Sequence, residues 1–129
     1  MSTLDERLRA LRQARELLQA MTAAEALAPD WRNLAADALH RYPGDADIDA
    51  KLCAANSNEE QVWGEALAKT RALFDGLRRR VPDADPWRIW AMGVDRHFPE
   101  ARYLPGHPLA PAPWTATFLD HMRLLRSPP

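Results

Sequence analysis

The chain is short of the residues on which several classes of function depend. It has one cysteine, Cys53, among 129 residues, so a disulfide framework cannot form within the chain and a reducing cytoplasm is the expected location. Its five glycines stand apart from one another, which excludes the glycine-rich loops that hold phosphate groups. No apolar run approaches the roughly 20 residues that cross a bilayer, and the charged amino-terminal residues predict no signal peptide.

Net charge is also nearly absent. The 17 lysine and arginine residues are balanced by 18 aspartate and glutamate residues, which leaves a formal net charge of −1. A chain so close to neutral has no overall field to attract nucleic acid or an anionic membrane. Its hydrophobic content of 47% is typical of a soluble globular protein, and its length predicts a single domain over residues 1–129.

What the chain does have is an internal repeat. When the sequence is shifted by 56 positions without a gap, the segment starting at Pro29 lies over the segment starting at Asp85, and Trp31 falls on Trp87. Between positions 8 and 43, nine of the 36 pairs are identical. A repeat of this length indicates one supersecondary unit used twice.

Hydrophobic periodicity predicts that the regular secondary structure of the chain is all α-helical. Ser57 is predicted to cap the fourth helix and Asp85 the fifth. Gly93 is unusual inside a helix, and a close helix crossing would explain it. The apolar faces of the two tryptophan-bearing helices are expected to include Leu34 and Trp90. The predicted helices cover about 4–21, Pro29 to Tyr42, a short stretch around Ile48, about 58–80, Pro86 to Phe98, and the chain from Pro113 onward.

The duplication predicts the architecture. One helical hairpin is too small to bury its own apolar face, but two copies can cover each other around an approximate two-fold axis. We therefore predict an all-α fold with a pseudo-two-fold four-helix core from a duplicated helical hairpin, the copies being at about 4–52 and about 58–104. The prolines between Pro99 and Pro113 predict an extended strap, which leads into a C-terminal helix within 105–129.

Residues capable of catalysis or metal binding show no recognised pattern. The four histidines, His40, His97, His107 and His121, have no metal-ligand spacing, and helix capping explains the two that adjoin helix ends. Cys53 has no activating neighbour, so it is interpreted as a small core residue. We predict no catalytic residue, no metal and no cofactor, and keep a histidine-based metal protein or enzyme as an alternative hypothesis.

A basic cluster lies along the fourth and fifth predicted helices. The helix dipole favours cations at a helix carboxyl end, which is one interpretation of the cluster. The same face, with tryptophans beside it, could follow a phosphate backbone and stack bases, so nucleic-acid binding is a second hypothesis. The cluster comprises Lys69, Arg71, Arg78, Arg79, Arg80, Arg88 and Arg96.

Five tryptophans are more than so small a core needs, and an exposed tryptophan beside arginine is typical of a protein-binding hot spot. Our principal hypothesis is a non-enzymatic module that binds a protein partner. Bacterial or phage-borne inhibitors, immunity proteins and counter-defence proteins that act by surface occlusion are modules of this kind. A monomer is favoured, because fusion of two copies removes one reason to dimerise. The predicted partner-binding residues are Trp63, Arg78, Arg79, Arg80, Arg88, Tyr103 and Trp114.

The first copy has an arginine-rich first helix, a proline-led helix that carries Arg32, and an ending at Tyr42 and Pro43. This pattern resembles a family of very short uncharacterised proteobacterial proteins, in which the ending reads Leu-Arg-His-Tyr-Pro. The order of His40 and Arg41 departs from that ending, whereas Arg96 and His97 in the second copy match it. The resemblance covers residues 1 to about 52 and implies a module boundary and a bacterial origin, but no activity. The matching positions are Glu6, Arg7, Arg9, Ala10, Arg15, Glu16, Leu18, Pro29, Arg32, Ala35, Leu39, Tyr42 and Pro43.

Overall fold

The structure is a computed structural model that describes residues 4–50, 52 and 56–100. Within these ranges the chain is all-α and contains no β-strand. The five helices predicted for this part of the chain are all present, whereas most of the predicted strap and the predicted C-terminal helix lie outside the described residues. The helices are α1 (Leu4–Ala23), α2 (Pro29–Leu39), α3 (Asp45–Asp49), α4 (Ser57–Arg80) and α5 (Pro86–Asp95).

Side-chain caps define where the longer helices begin. At α4 the Asn56 side chain accepts a hydrogen bond from the Glu59 amide at 2.9 Å, and the Glu59 carboxylate accepts one from the Asn56 amide at 3.4 Å. This capping box starts at Asn56, so the prediction that Ser57 is the cap is wrong by one residue. At α5 the Asp85 carboxylate accepts from the Trp87 amide at 2.8 Å, as predicted.

Each long helix contacts both of the short tryptophan-bearing helices. α1 packs against α2 and α5, and α4 also packs against α2 and α5. The pattern of contacts is therefore unchanged when α1 is exchanged with α4 and α2 with α5. An exchange of this kind is what an approximate two-fold axis produces.

Burial follows the same repeat as the sequence. Every residue that is buried between Arg7 and Pro43 has a buried counterpart 56 positions later. Leu11 and Leu67 are one such pair, and neither has any exposed surface. Because an amphipathic helix buries one stripe, a shared burial register means that both copies present the same stripe to the core. The agreement supports the predicted duplication, which stays a prediction.

The two copies close their helical hairpins with different contacts. In the first copy the buried Tyr42 hydroxyl donates a hydrogen bond to the Leu11 carbonyl at 2.7 Å. Burial raises the pKa of Tyr42 well above its ordinary value, and the nearby Arg15 charge acts in the opposite direction. In the second copy the matching residue is Phe98, whose ring meets the edge of Phe74 with the ring centres 5.2 Å apart.

Within the second copy, an arginine on α4 ties the end of α5 to α4. The Arg71 guanidinium donates hydrogen bonds to the carbonyls of Phe98 at 3.3 Å and Pro99 at 2.8 Å. It also forms an ion pair with Asp95, which in turn pairs with Arg78. The Arg71 and Asp95 side chains are each only 12% exposed, so this pair is shielded from water and screened less than a surface ion pair.

The short helix α3 covers one side of α1. Its Ile48 is fully buried, and Arg12 on α1 pairs with Asp49. Leu52 follows in the left-handed region, with a φ of 57°, and its side chain is buried. A left-handed leucine costs about 1–3 kcal/mol, so the burial of this side chain is what offsets the backbone strain.

Glycine marks a close helix contact, but at a different position from the predicted one. Gly93 is exposed, and a Cβ added there would meet no atom within 4 Å, so the predicted crossing at Gly93 is wrong. The close contact is at Gly76 on α4, where an added Cβ would lie 3.4 Å from Cη2 of Trp31. The absence of a side chain at Gly76 allows the indole to lie against the helix backbone.

Candidate functional site

The two tryptophans of the repeat meet at one end of the helical core. Trp31 and Trp87 are in the first turns of α2 and α5, and they line the same cavity of about 250 Å³. Leu27, Leu77 and Val81 supply much of its apolar lining. Both indoles are half-buried against the core. The two tryptophans therefore lie at the margin of the core, where part of each ring reaches the surface.

A second cavity, of about 200 Å³, lies between α2 and α4. We call it the Trp31 hollow; Trp31, Leu34 and Gly76 are among its lining, and Arg79 and Arg80 also line it. The guanidinium carbon of Arg80 lies 5.1 Å from the centre of the Trp31 ring, which is a cation–π contact. Leu34 is 48% exposed, so its predicted burial in the apolar face of α2 is wrong.

The apolar surface continues onto α5. Trp90 stacks on Trp87 with the ring centres 5.9 Å apart and the planes 12° from parallel. Trp90 is 41% exposed and Ile89 is 59% exposed, and with Leu34 they are the large hydrophobic residues that stand exposed in the described part of the chain. Leu34 and Trp31 line the hollow, Trp31 and Trp87 line the first cavity, and Trp90 stacks on Trp87. Clustered exposed apolar side chains mark a candidate interaction site. We name this surface, made of Leu34, Trp31, Trp87, Trp90 and Ile89, the aromatic ridge.

Most of the predicted basic cluster is occupied by ion pairs within the protein. Lys69 pairs with Asp37 at 3.2 Å. Arg78 pairs with Asp75 and Asp95. These pairs place each cation against a carboxylate, which reduces the local field available to a polyanion.

The arginine on α5 is likewise engaged. Arg88 donates a hydrogen bond to the Val81 carbonyl at 2.8 Å and pairs with Asp83 at 2.7 Å. Among the described residues, Arg79 and Arg80 have no carboxylate partner, and both are exposed beside the Trp31 hollow. A partner could meet these two cations, and the exposed Arg96 of the same cluster, without breaking an ion pair of the described residues. Arg79 and Arg80 differ from Arg96 in lining the Trp31 hollow.

The structure brings together only part of the predicted partner-binding set. Arg79 and Arg80 lie beside the Trp31 hollow. Trp63 is only 8% exposed, because it packs with the hydrophobic core, so its predicted place on the binding surface is wrong. Tyr103 and Trp114 lie outside the described residues. Arg78 and Arg88 remain in the predicted set as residues already committed to ion pairs.

The exposed members of the aromatic ridge were not predicted, although the repeat carries a signal for them. Leu34 and Trp90 are 56 positions apart, and each follows a repeat tryptophan by three residues. In both copies the next residue, Ala35 or Ala91, is fully buried. The buried stripe of each short helix is thus narrow and made of small residues, which leaves the preceding large side chain at its edge.

A histidine in the described part of the chain pairs with a carboxylate on α1. His97 Nε2 lies 3.1 Å from Glu6, so this histidine links the end of α5 to α1. The described residues contain no group of three or more histidine, cysteine, aspartate or glutamate side chains that could hold a metal ion. None of the described helices combines the length and apolar character that crossing a membrane requires.

Comparison of the chain with protein-family models, with curated proteins and with solved structures finds no match. The resemblance of the first copy to short proteobacterial proteins stays a prediction. Any function proposed for this chain therefore has to be argued from its own surface.

Proposed function

We propose that the chain is a non-enzymatic module that binds a protein partner through the aromatic ridge, and acts by occluding the surface of that partner. The observation that carries the proposal is the exposure of Leu34, Ile89 and Trp90 around two half-buried tryptophans. Exposure of apolar surface to water costs free energy, which is recovered when a partner covers that surface. Clustered tryptophan and arginine are typical of binding hot spots.

The test is capture from a bacterial lysate with the full chain as bait, compared across matched variants. Leu34→Ser and Trp90→Ser each remove an exposed apolar side chain, whereas Gln13→Ser changes an exposed residue on α1. Retained protein partners should be lost from both ridge variants and kept by Gln13→Ser. Capture that is equal for all four baits would refute the proposal.

A nuclease-treated lysate separates this proposal from nucleic-acid binding. Capture through the aromatic ridge should survive the treatment and should depend weakly on salt. Capture that disappears with nuclease, or that falls steeply with salt, would assign the surface to nucleic acid instead.

A further inference from the structure

We propose that the Trp31 hollow receives an acidic amphipathic helix of the partner protein. This inference rests on the proposed function, because it names the kind of segment that docks on one part of the aromatic ridge. It follows from the shape, the size and the charge of the hollow.

The shape is that of a groove between two helices. The residues that α4 contributes lie at helical spacing along one face from Lys69 to Arg80, so the groove runs for about 16 Å at 1.5 Å per residue. On α2 the wall is formed by Trp31, Leu34 and Asp37. About 16 Å corresponds to three turns of a helix, which present apolar residues at positions i, i+3 or i+4, and i+7.

The size favours side chains of a protein over a small ligand. The hollow holds about 200 Å³, whereas pockets for small molecules and cofactors usually measure about 300–1,000 Å³. The described chain has no β-strand, so it offers no sheet edge to which an extended peptide could add. A helix that inserts one or two apolar side chains beside Trp31 fits both constraints.

The charge of the hollow favours acidic residues on that helix. Lys69, Arg79 and Arg80 line it, against a single carboxylate, Asp37. Asp37 and Lys69 already pair at 3.2 Å, which leaves the two arginines without a carboxylate among the described residues. Carboxylates placed next to the apolar anchors of an incoming helix would complement them, and would steer its approach.

Apolar content distinguishes this occupant from a phosphate backbone. The floor of the hollow is formed by Gly76, Ala72 and Leu73, and Leu34 stands exposed at its side. A phosphate chain would leave these apolar groups uncovered, whereas the apolar face of a helix covers them. The hollow is therefore better matched to a helix that carries both leucine-like and acidic side chains.

The experiment is a selection of helical peptides on the full-length protein. A displayed library keeps apolar residues at i, i+4 and i+7 of a 12-residue helix and varies the flanking positions among acidic, basic and neutral residues. Enriched peptides should be acidic. A synthetic copy of the most enriched acidic peptide, called the acidic winner below, should bind at least about tenfold more tightly than the same peptide with lysine in place of its acidic residues. The Arg79→Glu variant should bind the acidic winner about tenfold more weakly and should shift the selection towards basic peptides.

Arg9→Glu is the matched control, because Arg9 is an exposed arginine on α1 and lies outside the lining of the hollow. It should leave the affinity of the acidic peptide unchanged. Circular dichroism and a thermal transition verify that each variant is folded. Arg79→Glu serves as the main variant because Arg80 also stacks on Trp31, so changing Arg80 alters the hollow as well as the charge.

Three results would overturn the inference: no enrichment, enrichment of neutral or basic peptides, or an acidic winner that binds Arg79→Glu as well as the parent. Displacement of the acidic winner by single-stranded RNA at lower concentration than by unlabelled peptide would overturn it too. The lysate experiment distinguishes failure of this inference from failure of the proposed function. Partner capture that needs Trp90 but survives Arg79→Glu leaves the protein-binding proposal standing and removes only the acidic helix.

Discussion

The two copies share a core but not a surface. Trp31 and Trp87 occupy matching positions, yet Trp31 is covered by Arg80 and lies against Gly76, whereas Trp87 is covered by Trp90. The positions of the first copy that match Arg79 and Arg80 hold alanines. Among the described residues the two repeated tryptophans therefore have different neighbours, since Trp31 lies beside a basic hollow and Trp87 lies beside a second indole.

The copies differ more at the surface than in the core because buried and exposed residues are under different physical constraints. A buried position must fit neighbours that are packed at crystal-like density, so matching positions keep similar size and polarity. A surface position contacts mainly water, and its replacement usually changes stability by less than about 0.5 kcal/mol. Surface residues can therefore differ between the copies while the fold stays the same.

The largest expected effect tests the shared core. Leu11→Ala and Leu67→Ala each truncate a fully buried leucine at matching positions, and each should lower the free energy of unfolding by about 2–5 kcal/mol. Urea unfolding measures both values. Losses that agree within about 1 kcal/mol, the usual spread of such contacts, would support equivalent cores. A much smaller loss at one site would break the comparison.

The next effect tests the polar contacts that differ between the copies. Arg71→Ala removes the partner of Asp95, which is only 12% exposed, and should cost about 2–4 kcal/mol because a shielded carboxylate loses one of its cations. Arg15→Ala at the matching position should cost less than about 1 kcal/mol, since the ion pair of Arg15 is with an exposed Asp45 at 4.0 Å.

A double-mutant cycle isolates the contribution of the Arg71–Asp95 pair. If the pair matters, the Arg71→Ala/Asp95→Ala protein should be more stable than the sum of the two single losses predicts. Additive losses would instead show that Arg71 acts mainly through its bonds to the carbonyls of Phe98 and Pro99.

A smaller effect separates the tyrosine of the first copy from the phenylalanine of the second. Tyr42→Phe should cost about 1 kcal/mol at neutral pH, the typical net value of one hydrogen bond. Because the pKa of Tyr42 is raised above its ordinary value of 10.0 in the folded protein, the stability that it contributes is complete below that pH. It is lost as the pH rises further, since the unfolded chain ionises first.

Chemical denaturation between pH 8 and pH 11.5 checks this pH dependence. The gap in stability between the parent and Tyr42→Phe should narrow above pH 10, the ordinary pKa of tyrosine. The comparison isolates Tyr42, because the parent and Tyr42→Phe are identical at every other residue. A gap that is constant with pH would contradict the burial of an un-ionised Tyr42.

The smallest effect compares two glycines within helices. Gly93→Ala should stabilise the protein by up to about 1 kcal/mol, because the exposed helix gains propensity and the new Cβ meets nothing within 4 Å. Gly76→Ala should gain less, because its Cβ would lie 3.4 Å from the Trp31 ring. Melting temperatures measure the two gains. Equal gains would mean that the indole moves away from α4 without cost.

Much of the fold could be predicted from patterns among residues close together in the sequence. Hydrophobic periodicity located the five described helices, and the Asp85 cap was recognised because its carboxylate acts on amides only two and three residues away. The cap of α4 was misplaced by one residue, since Asn56, Ser57 and Asn58 are all residue types that can cap a helix. Interactions within one helical turn depend on residues close in the sequence, so predictions of helix caps are wrong by only a residue or so.

The candidate site was predicted less well, because exposure depends on helices distant in the sequence. Tryptophan is a residue type typical of hot spots, but Trp63 is buried. Leu34 continues the apolar stripe of α2, but it is exposed. Arg79 and Arg80 were identified as basic, but only the packing of α2 on α4 places them beside Trp31. The rotation of one helix against another decides which flank of an amphipathic stripe is covered.

The amino-acid sequence by itself determined the helices, their repetition at a shift of 56 residues and the small buried alanines of the short helices. Only the tertiary structure decided that Gly76 and not Gly93 receives a neighbouring ring, and that two arginines remain without carboxylates beside an open hollow. The physical reason is one of range. Periodicity and capping act over three or four residues, whereas exposure and charge pairing depend on contacts between distant segments.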